Sequence, residues 1–144
     1  MKQESSDAFI CALLVNTDPE GRLLMHEIFR KAGWRLYEAG DRKRALQCLE
    51  SHPVQVVIAS RDNHYWPWQR VLHDLERIWR PPQLVVTSRI ADDFLWAEVL
   101  NRGGYDVLLE PFQPDEVVRV IASARRHFDP KPAAAVRAHA AVAS

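Results

Sequence analysis

Five short apolar runs recur along the chain, and several are apolar at consecutive rather than alternate positions. They are Phe9 to Val15, Trp34 to Ala39, Val54 to Ala59, Leu84 to Thr87 and Tyr105 to Leu109. Each has the length of a strand. In Cys11-Ala12-Leu13-Leu14-Val15 apolar side chains project from both faces, so both faces must be covered. A parallel sheet packed between two layers of helices meets that demand.

The segments between the runs read as helices. Asp18 can accept from the free N–H groups of a first turn, and Pro19 suits the first helical position because it has no N–H to leave unpaired. Leu24, Ile28 and Ala32 follow at helical spacing, and Gly33 supplies a left-handed stop. A second helix is predicted from Asp41 to about Ser51, with Ala45, Leu46 and Leu49 facing inward. A third spans about Trp68 to Trp79, with Val71, Leu72, Leu75 and Ile78 on one face. A fourth begins near Asp92 and ends at Gly103-Gly104. The fifth runs from Pro114 to about Phe128, its apolar side made of Val117, Val118, Val120, Ile121 and Ala124. Strict strand–helix alternation predicts right-handed crossovers and an open, doubly wound α/β sheet in three layers.

Composition narrows what such a domain does. The 144 residues carry 19 Lys+Arg against 19 Asp+Glu, a formal net charge of zero, so a dedicated nucleic-acid binder is not expected. The chain is 47% hydrophobic and 26% charged, an ordinary globular balance. Cys11 and Cys48 cannot build a disulfide framework or a structural zinc site, and the six histidines show no metal-ligand spacing. No apolar stretch approaches the roughly 20 residues that span a bilayer. MKQESSDAFI lacks a signal peptide's apolar region, so a cytoplasmic protein without a membrane partner is expected. Residues 1–8 are an N-terminal extension and 9–128 the domain. Beyond Pro130 and Pro132, the alanine-rich 129–144 segment reads as a flexible tail, with a docking helix as the alternative.

In an open parallel sheet, ligands bind beyond the carboxyl ends of the strands. The residues there are Asn16-Thr17-Asp18, Ser60-Arg61-Asp62, Thr87-Ser88 and Glu110-Pro111. Over residues 9 to 128 the order of elements resembles the response-regulator receiver domain of two-component signalling. The segments that carry the likeness are LLVNTDPEGR, VQVVIAS, VVTSR and RGGYDVLLEPF. The last is similar to the family's Gly-Ala-x-Asp-Tyr-Leu-x-Lys-Pro-Phe signature at Gly103, Asp106, Leu108, Pro111 and Phe112. The resemblance implies a flavodoxin-like (βα)5 sheet of strand order 2-1-3-4-5 and a cis bond before Pro111. It also implies an acidic pocket in which two carboxylates and an acceptor aspartate hold a divalent cation. There a lysine and a Thr or Ser meet the phosphoryl group.

This sequence departs from that pattern at nearly every position. Asn16 and Thr17 stand where the acid pair would be, and Ser60 where the phosphoacceptor would be. Glu110 replaces the lysine, so an anion points where phosphoryl transfer needs a cation. Val107 replaces the aromatic switch, while Thr87 keeps its family identity. The expectation is a pocket of Asn16, Thr17, Asp18, Ser60, Thr87 and Glu110 with no phosphoacceptor, no metal, no cofactor and no catalytic residue. Asp18 reads as a helix cap. Asp62, two residues past Ser60, keeps the same facing and is the alternative acceptor.

The most unusual stretch is Asp62-Asn63-His64-Tyr65-Trp66-Pro67-Trp68. Its aromatics either anchor a partner or ligand, through Asp62, His64, Tyr65, Trp66 and Trp68, or fold inward and plug the space that metal and phosphate would fill. The resemblance also points to the face of the fourth helix, fifth strand and fifth helix as a dimerisation and docking surface, with Trp96 its candidate anchor if exposed. The expected function is therefore a pseudo-receiver: a non-enzymatic, phosphorylation-independent module that binds signalling proteins or a second copy of itself. Two alternatives stand beside it. One is a phosphorelay receiver using an atypical acceptor, the other a ligand sensor or α/β enzyme built on the Trp66/Trp68 loop.

Overall fold

The computed structural model describes residues 9–15, 18–90 and 92–128. The expectations for segments 1–8 and 129–144 fall outside them. Strands and helices alternate throughout: β1 (Cys11–Val15), α1 (Pro19–Ala32), β2 (Arg35–Ala39), α2 (Arg42–Ser51), β3 (Val56–Ser60), α3 (Trp68–Leu75), β4 (Gln83–Ser88), α4 (Asp93–Arg102), β5 (Asp106–Leu109) and α5 (Pro114–Arg126). The five strands form one sheet in the order β2-β1-β3-β4-β5, every pair parallel.

The consecutive apolar residues do what their pattern requires. All five residues of β1 are buried, and they divide by parity between the two faces. Leu13 and Val15 join Val57, Ala59, Leu84 and Val86 beneath α2, α3 and α4, where Ala45, Val71, Leu75, Leu95 and Val99 cover them. Ala12 and Leu14 join Val56, Ile58, Val85 and Leu108 on the opposite face, covered by Met25, Ile28 and Phe29 of α1 and by Val117, Val120 and Ile121 of α5.

The helix boundaries follow the punctuation. Asp18 Oδ1 accepts from Gly21 N at 3.3 Å, Asp41 Oδ1 from Arg44 N at 2.8 Å, and Asp92 Oδ1 from Phe94 N at 3.0 Å. Gly33 at φ 78° and Gly103 at φ 106° close α1 and α4 in the left-handed region, where a side chain would be strained. The Glu110–Pro111 bond is cis, as the resemblance implied.

Several expectations need correction. β1 begins at Cys11, leaving Phe9 54% exposed, and α5 ends at Arg126 rather than Phe128. α3 stops at Leu75, four residues short, so Trp79 is exposed instead of continuing the helix. The helix ends well before Pro81-Pro82, and Arg80, the residue before them, adopts φ 63°, outside the right-handed helical region. Val118 faces solvent because it lies about 100° around α5 from Val117. On α2 only Ala45 is fully buried, and Leu46 and Leu49 are half-buried.

Candidate functional site at the strand ends

The carboxyl ends of β1, β3, β4 and β5 bring together residues from four distant parts of the chain. A small cavity of about 150 Å³ is lined by Asp18, Ser60, Asp62, Asn63, Arg89 and Glu110. It adjoins a cleft of about 690 Å³ that shares Asp18, Arg89 and Glu110 and runs along Glu20, Gly21, Leu24, Pro111 and Phe112. Of the pocket named from sequence, Asp18, Ser60 and Glu110 line the small cavity. Asn16 and Thr17 lie outside the described residues.

Each of these groups is held by the local fold. Asp18 follows β1 and caps α1, and its second oxygen lies 3.4 Å from Arg89 Nη2. Ser60 ends β3 opposite Thr87 of β4, and its Oγ accepts from Asp62 N at 3.1 Å, fixing the turn into the next loop. Asp62 itself is exposed. Glu110 follows β5 with its side chain only 12% exposed and an oxygen 3.9 Å from Arg89 Nε. Burial pushes the Glu110 carboxyl above its usual range, and the charges of Asp18 and Asp62 push it the same way. Thr87 and Arg89 only partly oppose them. Thr87 Oγ1 is buried with no hydrogen-bond partner among the described residues.

Arg89 is the cavity-lining residue that sequence reasoning missed. It ends the VVTSR segment and places the cavity's single guanidinium between Asp18 and Glu110, with its own side chain 65% exposed. The available signal was its position two residues past Thr87, at the end of a strand whose neighbours all present acids or hydroxyls. Among the described residues, no three His, Cys, Asp or Glu side chains converge as metal ligands would.

The aromatic loop folds its two indoles inward, as one of the sequence alternatives had it, though not into the cavity. Trp66 and Trp68 are 2% and 3% exposed, so neither is available as an interface anchor. Nor do they plug the cavity, whose lining contains neither of them. They belong to the core cluster on the face of the sheet covered by α2, α3 and α4. The reason is Asn63, buried at the start of the loop. Its Oδ1 accepts from Tyr65 N at 3.1 Å and from Trp66 N at 3.2 Å, turning the chain so that the indole enters the core. Trp66 Nε1 then donates to Asp74 Oδ2 at 2.9 Å, and the same oxygen takes a 2.9 Å contact from Arg42 Nε. Asp62, His64 and Tyr65 remain on the surface.

Trp96, on α4, is 49% exposed and donates its indole N–H to Asp106 Oδ1 at 3.2 Å. It borders a groove of about 500 Å³ between α4, β5 and α5, lined also by Asp93, Val107, Leu109 and Glu116. Leu109 is exposed within this groove, whereas the exposed Phe94 and Val118 lie on other sides of α4 and α5.

Comparison with solved structures agrees with this architecture. The receiver domain of the Francisella response regulator 1452 matches with a TM-score of 0.71 at 20% identity, covering 83% of this chain and 99% of that one. The signal receiver domain of an HD domain-containing protein from Pseudomonas fluorescens Pf-5 gives 0.71 at 22% identity, covering 82% and 95%. A response regulator from Thermotoga maritima gives 0.73 at 15% identity, covering 82% and 98%. The chain has the flavodoxin-like fold of response-regulator receiver domains. No family model matches the sequence, and no curated protein matches it. No helix among the described residues is long and apolar enough to cross a membrane.

Proposed function

We propose that residues 9–128 form a receiver-like module of two-component signalling that binds proteins without being switched by aspartyl phosphorylation. The observation that carries this reading is the half-buried carboxylate of Glu110 just after β5. In the receiver resemblance a lysine ammonium meets the incoming phosphoryl oxygens there, and an anion at that point repels them. Two further features support it. Ser60 stands in the acceptor position with its hydroxyl engaged in the turn to Asp62, and the charge of Arg89 faces two acids, Asp18 at 3.4 Å and Glu110 at 3.9 Å. Such a module works through a standing surface, and regulation enters by partner availability or by a ligand. The surface is the α4/β5/α5 face around Trp96. Its Trp96 and Leu109, both exposed, offer apolar contact to a cytoplasmic signalling partner or a second copy of the chain.

The test is incubation with magnesium and acetyl phosphate, with intact mass then measured. The expected result is an unmodified mass. A phosphate adduct that disappears in Asp62→Asn would overturn this reading in favour of a phosphorelay through an atypical acceptor, since Asp62 lines the same cavity as Ser60. The sensor or enzyme based on Trp66 and Trp68 has no support in the structure, because both indoles are buried.

A further inference from the structure

The end of the sheet away from the strand-end cavity carries an apolar groove that no described residue fills. It holds about 260 Å³ and lies where β3 and β4 begin, bounded by the last turn of α2 and the stretch after α3. Its lining combines buried Val54 and Pro82 with half-buried Leu49 and Ile78. Trp79 lines it while 60% exposed, on a turn whose next residue, Arg80, holds φ 63°. A left-handed backbone at a non-glycine residue is strained, and such strain persists only where the surrounding structure imposes it. The turn thus keeps a large indole in solvent beside an apolar groove, where burial would be favourable.

The last described residue lies in the same groove. Phe128 lines it, and the chain reaches that point along a fixed path. Phe128 N donates to Arg125 O at 3.1 Å, and the His127 carbonyl accepts from Gln83 Nε2, at the start of β4, at 2.7 Å. Residues 129–144 follow, beginning Asp129-Pro130-Lys131-Pro132. Asp129 and Lys131 each precede a proline, which biases them to extended backbone, and a Pro-x-Pro stretch is preorganised as polyproline II. Proline-rich segments of that form dock in aromatic-lined grooves at little entropic cost. Two extended residues span about 7 Å, enough for Pro130 to reach across a cavity of this size. The volume falls below the roughly 300–1,000 Å³ of small-organic-ligand pockets, which disfavours a free ligand. A segment tethered at Phe128 needs little intrinsic affinity, because a short linker holds it at roughly millimolar effective concentration. We infer that Pro130-Lys131-Pro132 seats in this groove of its own chain, with its proline rings against Trp79 and Ile78. The contact goes beyond the proposed docking function. It covers the amino end of the sheet, leaves the α4/β5/α5 face open, and sets the direction in which the chain leaves α5.

The test is nuclear magnetic resonance on the full chain. Nuclear Overhauser contacts between the Trp79 ring and the ring protons of Pro130 or Pro132 are expected. A mixed sample of labelled and unlabelled chains should show none between molecules. The Lys131 and Ala133 amides should exchange about tenfold more slowly than in a free chain, a docked-to-free ratio of about ten, and Trp79→Ala should abolish that protection. Circular dichroism checks that each variant is folded. If Trp79→Ala is not, the double change Pro130→Gly and Pro132→Gly, in the segment itself, decides. It should shift the Trp79 indole signal and leave those of Trp66 and Trp68 in place. Four results would overturn the inference: no contact within the chain, a contact found only between chains, protection that is absent or survives Trp79→Ala, or a Trp79 signal indifferent to the double change.

Discussion

Changing Trp66 to Phe separates a structural tryptophan from a binding one. The indole is 2% exposed, and its Nε1 donates to Asp74 Oδ2 at 2.9 Å, on a carboxylate only 10% exposed. Phenylalanine keeps a ring in the core but removes the donor. A hydrogen bond to a charged acceptor contributes about 1.5–3 kcal/mol. The smaller ring forfeits about 1 kcal/mol more in apolar contact. Trp66→Phe should therefore destabilise by about 3 kcal/mol. Trp68→Phe, at an equally buried indole with no such bond, should lose only the packing part, about 1 kcal/mol. Urea unfolding monitored by circular dichroism reads the difference, because a slope of about 1–3 kcal/mol per molar separates the two midpoints by roughly 1 M. A double-mutant cycle with Asp74→Ala isolates the bond and should return a coupling of about 2 kcal/mol. Burial opposes ionisation of Asp74, but the bonds from Arg42 and Trp66 outweigh it and hold its carboxyl below the usual range. The coupling should therefore persist at neutral pH and fade as acid protonates the carboxylate below about pH 4. Equal midpoints for the two variants, or no coupling to Asp74, would refute the assignment.

Three other residues give further outcomes. Glu110 binds its proton more tightly when folded than a free carboxylate does, mainly through burial. Wild-type stability should therefore fall relative to Glu110→Gln as pH rises from about 4 towards neutrality, the difference vanishing below that window; thermal unfolding at several pH values measures it. Gly104→Ala would place a Cβ 2.5 Å from Cγ1 of the fully buried Val99, and overpacking of this kind should lower stability by about 1–3 kcal/mol in urea unfolding. Trp96→Ala, at a half-exposed indole, should change stability by about 1 kcal/mol or less while weakening any self-association seen by sedimentation; a loss of several kcal/mol would make Trp96 a core residue instead.

Much of the fold was legible from the chain because it is encoded locally. The apolar runs, the Asp18, Asp41 and Asp92 caps and the Gly33 and Gly103 stops each act within a turn or two of where they stand. The candidate site was legible in part. Ser60 and Glu110 could be placed from strand ends and from the receiver resemblance, since a residue at the carboxyl end of a parallel strand must lie at that edge of the sheet. Arg89 was not, because its part depends on Asp18, 71 residues away, and on Glu110 from a third strand.

The sequence by itself determined five strands, the helices between them, and which residues stand at the strand ends. These depend on side-chain period and residue type, properties a chain carries before it folds. Only the tertiary structure decided that Trp66 and Trp68 enter the core while Tyr65 stays outside. Those outcomes turn on Asn63 bending the loop and on Asp74 waiting eight residues on to receive the indole. An exposed aromatic and a buried one are spelled alike, and the difference is made by the partners that packing brings within reach.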